Sequence, residues 1–357
     1  MKSVAKFDIG FEQYLDAEGK PTKKLPKSAT RDELIRLYRM MTLVRIFDTK
    51  AISLQRTGKL GTYASSLGHE AAHVGIGAAM QQDDCLAPMY REYGAQFLRG
   101  VKMSEVLLYW GGDERGSDFS GPAHDFPWSV PIATQYLHGA GAAMAYKYRG
   151  EKRAAVSVVG DGGTSEGDFY EAINAAGAWQ LPFVGVIVNN KWAISVPLEK
   201  QTAAETLAQK GIAAGVECLQ VDGNDVIAMR EAMEKALQKA RSGKGPTVIE
   251  ALTYRLHDHT TADDASRYRS DEEVREHESI EPLIRTRKYL MDQGWWTEDD
   301  EEKLLEECRA QVDEAVSEYQ NVEPPKTEDM FDYHFEEITE PLAEQREVAI
   351  REARRNG

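Results

Sequence analysis

Residues Arg153 to Ser195 read RAAVSVVGDGGTSEGDFYEAINAAGAWQLPFVGVIVNNKWAIS, and the architecture follows from them. A Val-rich run ends in Gly160-Asp161-Gly162-Gly163, a helix-like stretch follows, and a second Val/Ile-rich run ends in Asn189-Asn190. This pattern predicts strand, helix, strand. If the strands are parallel neighbours, Asp161 and Asn190, 29 positions apart, leave the sheet at its carboxyl edge, where open α/β sheets bind ligands. Glycine lets the backbone approach a ligand closely and take positive φ. A helix beginning near Thr164 and Ser165 would aim its amides and its positive dipole end at an anion, which suits a diphosphate. The Asp161 carboxylate, the Asn190 amide oxygen and the Trp192 carbonyl would suit Mg2+, a hard cation that takes further oxygens from phosphate and water. The dinucleotide pattern GxGxxG fails, because Ser165 stands where its third glycine belongs, and the chain has no GxxxxGK[ST] loop.

Gly160-Asp161-Gly162 with Asn189-Asn190 resembles the thiamine diphosphate motif. The surrounding chain resembles the α subunit of the decarboxylating component of 2-oxo acid dehydrogenase complexes. The resemblance runs from about Leu34 to the C-terminal region, with its motifs in family order: RTGKLGTYASSLGHEA from Arg56, MYREYG from Met89, VPIATQ from Val130, GDGGTSEGDFYEA, NNKWAISVP, VDGNDV from Val221, TYRLHDHTTADDASRYRS from Thr253 and DQGWW from Asp292. It implies an α/β thiamine diphosphate-binding fold, a mostly parallel sheet flanked by helices with a helical C-terminal extension. It also implies Mg2+ held by Asp161, Asn190 and the Trp192 carbonyl, with Gly162 and Gly163 against the diphosphate. Tyr90 and Arg91 fall on the family pair that reaches the cofactor, where a guanidinium fork suits phosphate oxygens. Val130 would offer its carbonyl to the aminopyrimidine, Ile132 would wedge the bent cofactor, and His259 would be the catalytic loop histidine.

The implied reaction is oxidative decarboxylation of a 2-oxo acid with transfer of the acyl group to a lipoyl group. LEKQT from Leu198 resembles pyruvate-acting members, VPIATQ and DQGWW the branched-chain ones, and pyruvate is preferred. Thiamine diphosphate enzymes need a second domain that grips the aminopyrimidine, and no second copy of a comparable α/β unit is evident in this sequence. The resemblance assigns that domain to a β subunit in an α2β2 heterotetramer, and assigns the acyl acceptor to a lipoyl-bearing acyltransferase. The 257–269 loop carries Thr260, Thr261 and Ser266, and Thr260 and Ser266 lie near the positions where eukaryotic relatives are phosphorylated. Arg115 stands near a position where some relatives carry histidine, and His124 lies farther along.

Gly68-His69-Glu70-Ala71-Ala72-His73 contains HExxH, the mark of a rival zinc hydrolase. Ile76 replaces the glycine of its extended form, and no third ligand is evident.

With 59 acidic and 43 basic residues among 357, the net charge of −16 opposes binding to a nucleic-acid backbone. Three cysteines with no CxxC pair point to a reducing compartment. The polar N-terminus has no apolar signal core, and no run reaches the ~18 apolar residues of a membrane span, so a cytoplasmic location is expected. Three stretches are expected: an arm over 1–29, an α/β diphosphate-binding domain over 30–270 and a helical region over 271–357. Thr30 with Glu33 predicts a helix start with Gly58 as its stop, Asp225 to Ser242 reads as a helix closed by Gly243, and Ser270 with Glu273 opens the last region.

Overall fold

The structure, a computed structural model, describes residues 1–356. Its strands are β1 (Gly10–Glu12), β2 (Cys85–Ala87), β3 (Ala155–Gly160), β4 (Phe183–Asn189), β5 (Trp192–Ala193), β6 (Val196–Pro197), β7 (Glu217–Asp222) and β8 (Thr247–Leu252). Six form one sheet in the order β1-β7-β8-β4-β3-β2, every pair parallel, while β5 and β6 make a small antiparallel hairpin. The helices are α1 (Arg31–Arg56), α2 (Glu70–Ala79), α3 (Tyr93–Arg99), α4 (Met103–Trp110), α5 (Thr134–Arg149), α6 (Gly167–Ala178), α7 (Leu198–Gln201), α8 (Val226–Arg241), α9 (Asp271–Glu278), α10 (Pro282–Asp292), α11 (Glu298–Gln320), α12 (Asp329–Asp332) and α13 (Glu340–Asn356).

The expected α/β fold with a parallel sheet is present. The Val-rich runs are continuous because both sheet faces are covered. Val156 and Val158 of β3, with Val184, Val186 and Val188 of β4, pack on the side of α1, α2 and α8. Ala155, Val159, Phe183 and Ile187 pack on the opposite side, against α5 and α6. Each buried aliphatic side chain of this kind contributes roughly 1.5–3 kcal/mol. Helix α2 is built of small residues because a Cβ on Gly75 would lie 2.5 Å from the Met229 Cβ, and one on Gly77 2.7 Å from the Ala95 Cα.

The caps at Thr30 and Ser270 fall where the sequence placed them, and Asp225, read as the first residue of its helix, is the N-cap of α8. The Thr30 hydroxyl accepts from the Glu33 N–H, the Asp225 carboxylate from the N–H groups of Ile227 and Ala228, and the Ser270 hydroxyl from the Glu273 N–H. One local reading is corrected. The turn after Asp161 is a 3₁₀ segment over Gly162–Ser165, and the α-helix starts only at Gly167. Lys210 fastens that turn, donating to the Thr164 carbonyl and hydroxyl at 2.9 and 2.8 Å, so the chain spends four residues turning before α6 begins. The N-terminal arm contributes Gly10–Glu12 to the sheet as the edge strand β1, paired in parallel with Leu219–Val221.

Residues Met1–Val316 form one compact unit and Ser317–Gly357 a second. The described part of the second unit carries the end of α11, then α12 and α13. Among the described residues no helix is long and apolar enough to cross a membrane.

Candidate active site

Strands β3 and β4 run in register from Ala155 opposite Phe183 to Gly160 opposite Val188, so Asp161 and Asn190 leave neighbouring strands at the same edge. Asn189, the last residue of β4, pairs with Leu252, and Thr253 to Arg255 therefore emerge beside them. The Asn189-Asn190 pair divides its work. Asn189 turns into the sheet and donates to Glu250 at 2.7 Å, while the Asn190 backbone N–H reaches Asp161 and its side-chain oxygen accepts the Trp192 N–H at 3.2 Å.

Asp161 is buried, and burial pushes its carboxyl above the usual range, against the Gln201 amide, the Asn190 N–H and the Arg255 charge. Gln201 donates to Asp161 Oδ2 at 2.6 Å, and its own Oε1 is buried without a partner. A carboxylate held this way beside an orphaned amide oxygen fits a divalent cation, which would satisfy both oxygens. Lys191 and Ile194 hold φ of +73° and +54° in the hairpin beside it. For a β-branched residue such a conformation is an outlier of the kind that clusters at ligand sites.

Glycine is needed at 162 and 163 by closeness rather than by φ, which is not positive at either position. A Cβ on Gly162 would lie 2.6 Å from the Ala193 Cβ, and one on Gly163 would lie 2.3 Å from Val159 Cγ2 and 3.0 Å from Ile132 Cγ2. Ile132 therefore sits against the glycine turn. It is exposed, as is Val130, and Ala133 just after them opens α5 at φ +67°.

A second group joins this edge. Arg91 is buried and donates to the Ser65 carbonyl, to the His259 carbonyl at 2.5 Å and to His259 Nδ1 at 3.1 Å. The His259 ring meets the Tyr90 ring edge-on at 6.3 Å, and the Arg91 guanidinium lies 5.2 Å from the Tyr90 centroid. Burial, then Arg91 and Arg255, pushes His259 down to about 3.

Arg255 is the residue that sequence reasoning missed. It is buried, and its guanidinium donates to the Trp192 carbonyl at 3.2 Å, the Ile194 carbonyl at 2.8 Å and the Tyr268 hydroxyl at 2.8 Å. The Trp192 carbonyl thus keeps one lone pair for any cation. Burial lowers the Arg255 pKa, and its charge is felt by both Asp161 and His259, which links the two groups electrostatically. Its position three residues past β8 was the available signal, because β8 adjoins β4.

The HExxH residues take a different course. Glu70 is locked to Arg45 at 2.5 Å and to the Gly68 N–H, so it is not free to act as a base. His69 and His73 lie with ring centroids 5.4 Å apart, and among the described residues no group of three or more His, Cys, Asp or Glu could hold a metal. Arg115 pairs with Asp113, and His124 is exposed. In the loop, Thr261 is buried and its hydroxyl accepts the Tyr63 N–H, whereas Ser266 is exposed and donates to Asp264.

Comparison with known proteins identifies the family. Residues 38–328 match the family model described as dehydrogenase E1 component. The chain is 41% identical over 338 residues to the pyruvate dehydrogenase E1 component subunit alpha of Acholeplasma laidlawii, covering 93% of this chain and 97% of that protein. It is 40% identical over 338 residues to the protein of the same name from Staphylococcus aureus strain MW2, covering 94% and 91%. The Staphylococcus epidermidis strain ATCC 12228 counterpart is 40% identical over 349 residues, covering 97% and 94%. With that similarity spread over nearly its whole length, the chain belongs to the dehydrogenase E1 component family.

Proposed function

We propose that this chain is the α subunit of a pyruvate dehydrogenase (acetyl-transferring) component, which oxidatively decarboxylates pyruvate and reductively acetylates a lipoyl group. The observation that carries the reading is the meeting of Asp161 and Asn190 at adjacent parallel strand ends beside a turn that only glycine fits. Asp161, Asn190 and the Trp192 carbonyl would hold Mg2+, with Gly162 and Gly163 at the diphosphate of thiamine diphosphate. Tyr90, Arg91 and His259 would stand over the same anion, with Val130 and Ile132 under the cofactor ring.

Thiamine diphosphate, when bound, supplies the electron sink that decarboxylation of a 2-oxo acid requires. The chain supplies the rest. Arg91 and Arg255 set a positive field at the strand edge, buried where solvent screens it little. The side chain of Ile132, against Gly163, would exclude water from that face once the cofactor covers it. His259 offers a neutral ring at the mouth, because burial and two guanidinium groups oppose its protonation.

A partner is part of the reading. Val130 and Ile132 are exposed large apolar side chains beside the site, and on α5 Leu137, Gly141, Met144 and Tyr148 form one exposed helical stripe. Such a surface fits the proposed β subunit of an α2β2 assembly, whose second domain would complete the grip on the cofactor. A lipoyl-bearing acyltransferase would then accept the acetyl group.

The test is co-expression with the partner chain followed by 2-oxo acid-dependent dye reduction with thiamine diphosphate and Mg2+, comparing pyruvate with 3-methyl-2-oxobutanoate. Preference for pyruvate is expected, and preference for the branched acid would transfer the chain to the branched-chain enzyme. Activity that ignores thiamine diphosphate would overturn the assignment.

A further inference from the structure

Arg91 touches His259 at two atoms, donating from Nη2 to the backbone carbonyl and to Nδ1 of the ring. A guanidinium carries five N–H donors and no acceptor, and it stays protonated at any working pH. In this contact Nδ1 can therefore only accept. A neutral imidazole carries a single ring proton, so a ring whose Nδ1 accepts must bear that proton on Nε2. We infer that Arg91 is a positioning residue that fixes His259 as its Nε2–H tautomer, making it a hydrogen-bond donor at the site mouth and not a proton acceptor.

Both partners are held in place. Arg91 is 2% exposed, and its Nη1 donates to the Ser65 carbonyl. Ser65 is in turn anchored through its hydroxyl to the buried Asp48 at 2.6 Å, and Asp48 also accepts from the Ser66 N–H and the Tyr63 hydroxyl. On the other side, the His259 backbone N–H donates to Asp263 at 2.9 Å, and the ring stands edge-on to Tyr90. Flipping the ring about its Cβ–Cγ bond would put a carbon in place of Nδ1 and forfeit the hydrogen bond from Arg91.

The charges around the ring act in the same direction. Arg91 and Arg255 oppose a second proton, and Asp263 is the carboxylate that favours one. Asp263 is already engaged by the Tyr268 hydroxyl and by the His259 N–H. The ring then stays neutral, and Nε2–H has no hydrogen-bond partner among the described residues. Such a donor stabilises negative charge developing on an oxygen brought to the mouth, and it cannot accept a proton from substrate at that atom. Only the use of Nε2–H rests on the function proposed above, since the tautomer belongs to the chain itself.

The test is a long-range 1H–15N correlation spectrum of the full chain, ring-labelled at histidine and free of cofactor, recorded from about pH 5 to about pH 9. The His259 signals are assigned by their loss in His259→Gln. An unprotonated Nδ1 and a protonated Nε2, unchanged over the range, are expected. In Arg91→Met the tautomers should become mixed and the titration should move up towards ~6.5. A protonated Nδ1 in the wild type, or a wild-type titration centred near ~6.5, would overturn the inference. So would an Arg91→Met spectrum identical to wild type. If that variant does not fold, the wild-type spectrum still decides, and failure of pyruvate turnover in the assembled enzyme leaves this result untouched.

Discussion

At the scale of single residues, the arrangement around Asp161 depends on Gln201, which clamps one carboxylate oxygen and leaves its own Oε1 unpartnered. Outer partners of this kind set the orientation and basicity of a ligand, and losing one typically costs about 10–100-fold in metal affinity. If Asp161 holds Mg2+ as proposed, Gln201→Leu should raise the Mg2+ concentration needed for half-maximal activity of the assembled enzyme by about 10–100-fold, with little change in the melting temperature of the chain. Glu92 gives a pH prediction. Burial holds its carboxyl up at about 7 against the ordinary 4.5, with the N–H groups of Arg91 and Met89 pulling downward. The folded chain keeps a proton that the unfolded chain has released over this interval, so the stability it brings is full below about 4.5 and lost as pH rises through about 7. His73, which burial pushes down from 6.5 to about 3, contributes the opposite slope between those two values and so overlaps this interval, which is why the comparison must be made against a variant. Thermal melts of Glu92→Gln should show a smaller decline between pH 4.5 and 7 than those of the wild type.

At the scale of elements, Asp225 does more than cap α8. Its carboxylate accepts from the Ile227 and Ala228 N–H groups and also from those of Tyr14 and Leu15, which fastens the N-terminal arm to the start of the helix. Asp225→Ala removes the cap and leaves two buried arm amides unmet, a loss of at least ~2 kcal/mol. Urea denaturation should read that loss, and limited proteolysis should cut the arm sooner in the variant. The glycine turn gives a second prediction of this kind. Gly163→Ala would press a methyl into Val159 at 2.3 Å. Overpacking of this sort costs about 1–3 kcal/mol, and it should weaken thiamine diphosphate binding to the assembled enzyme along with the fold.

At the scale of the whole molecule, exposed apolar surface is the main feature left without a partner. Leu137 and Met144 are 37% and 40% exposed on α5, and nothing lies within 4 Å of where a Gly141 Cβ would stand. Leu137→Asp with Met144→Asp should leave the melting temperature of the isolated chain within about 0.5 kcal/mol equivalent of wild type, because neither side chain belongs to the core. The same pair should abolish co-purification with the proposed β subunit. The chain alone should show little or no pyruvate-dependent dye reduction, and full turnover by purified α chain would remove the need for a partner.

The chain's sequence alone determined what depends on local pattern. The β3-α6-β4 order is visible because continuous apolar runs, a helical stretch and terminal glycines lie within one short segment. Caps at Thr30, Asp225 and Ser270 are equally local, since each hydroxyl or carboxylate serves amides two or three residues away. Asp161 and Asn190 could be paired in advance because a parallel crossover returns its second strand beside the first. The late start of α6 escaped the sequence, because Gly162–Ser165 is fixed by Lys210 from a distant segment. So did β1, a three-residue strand whose pairing comes entirely from β7. Arg255 and the lock on His259 belong to the tertiary structure. Arg91 and His259 lie 168 positions apart, and no periodicity reports which of two ring nitrogens meets a guanidinium when two loops are packed together.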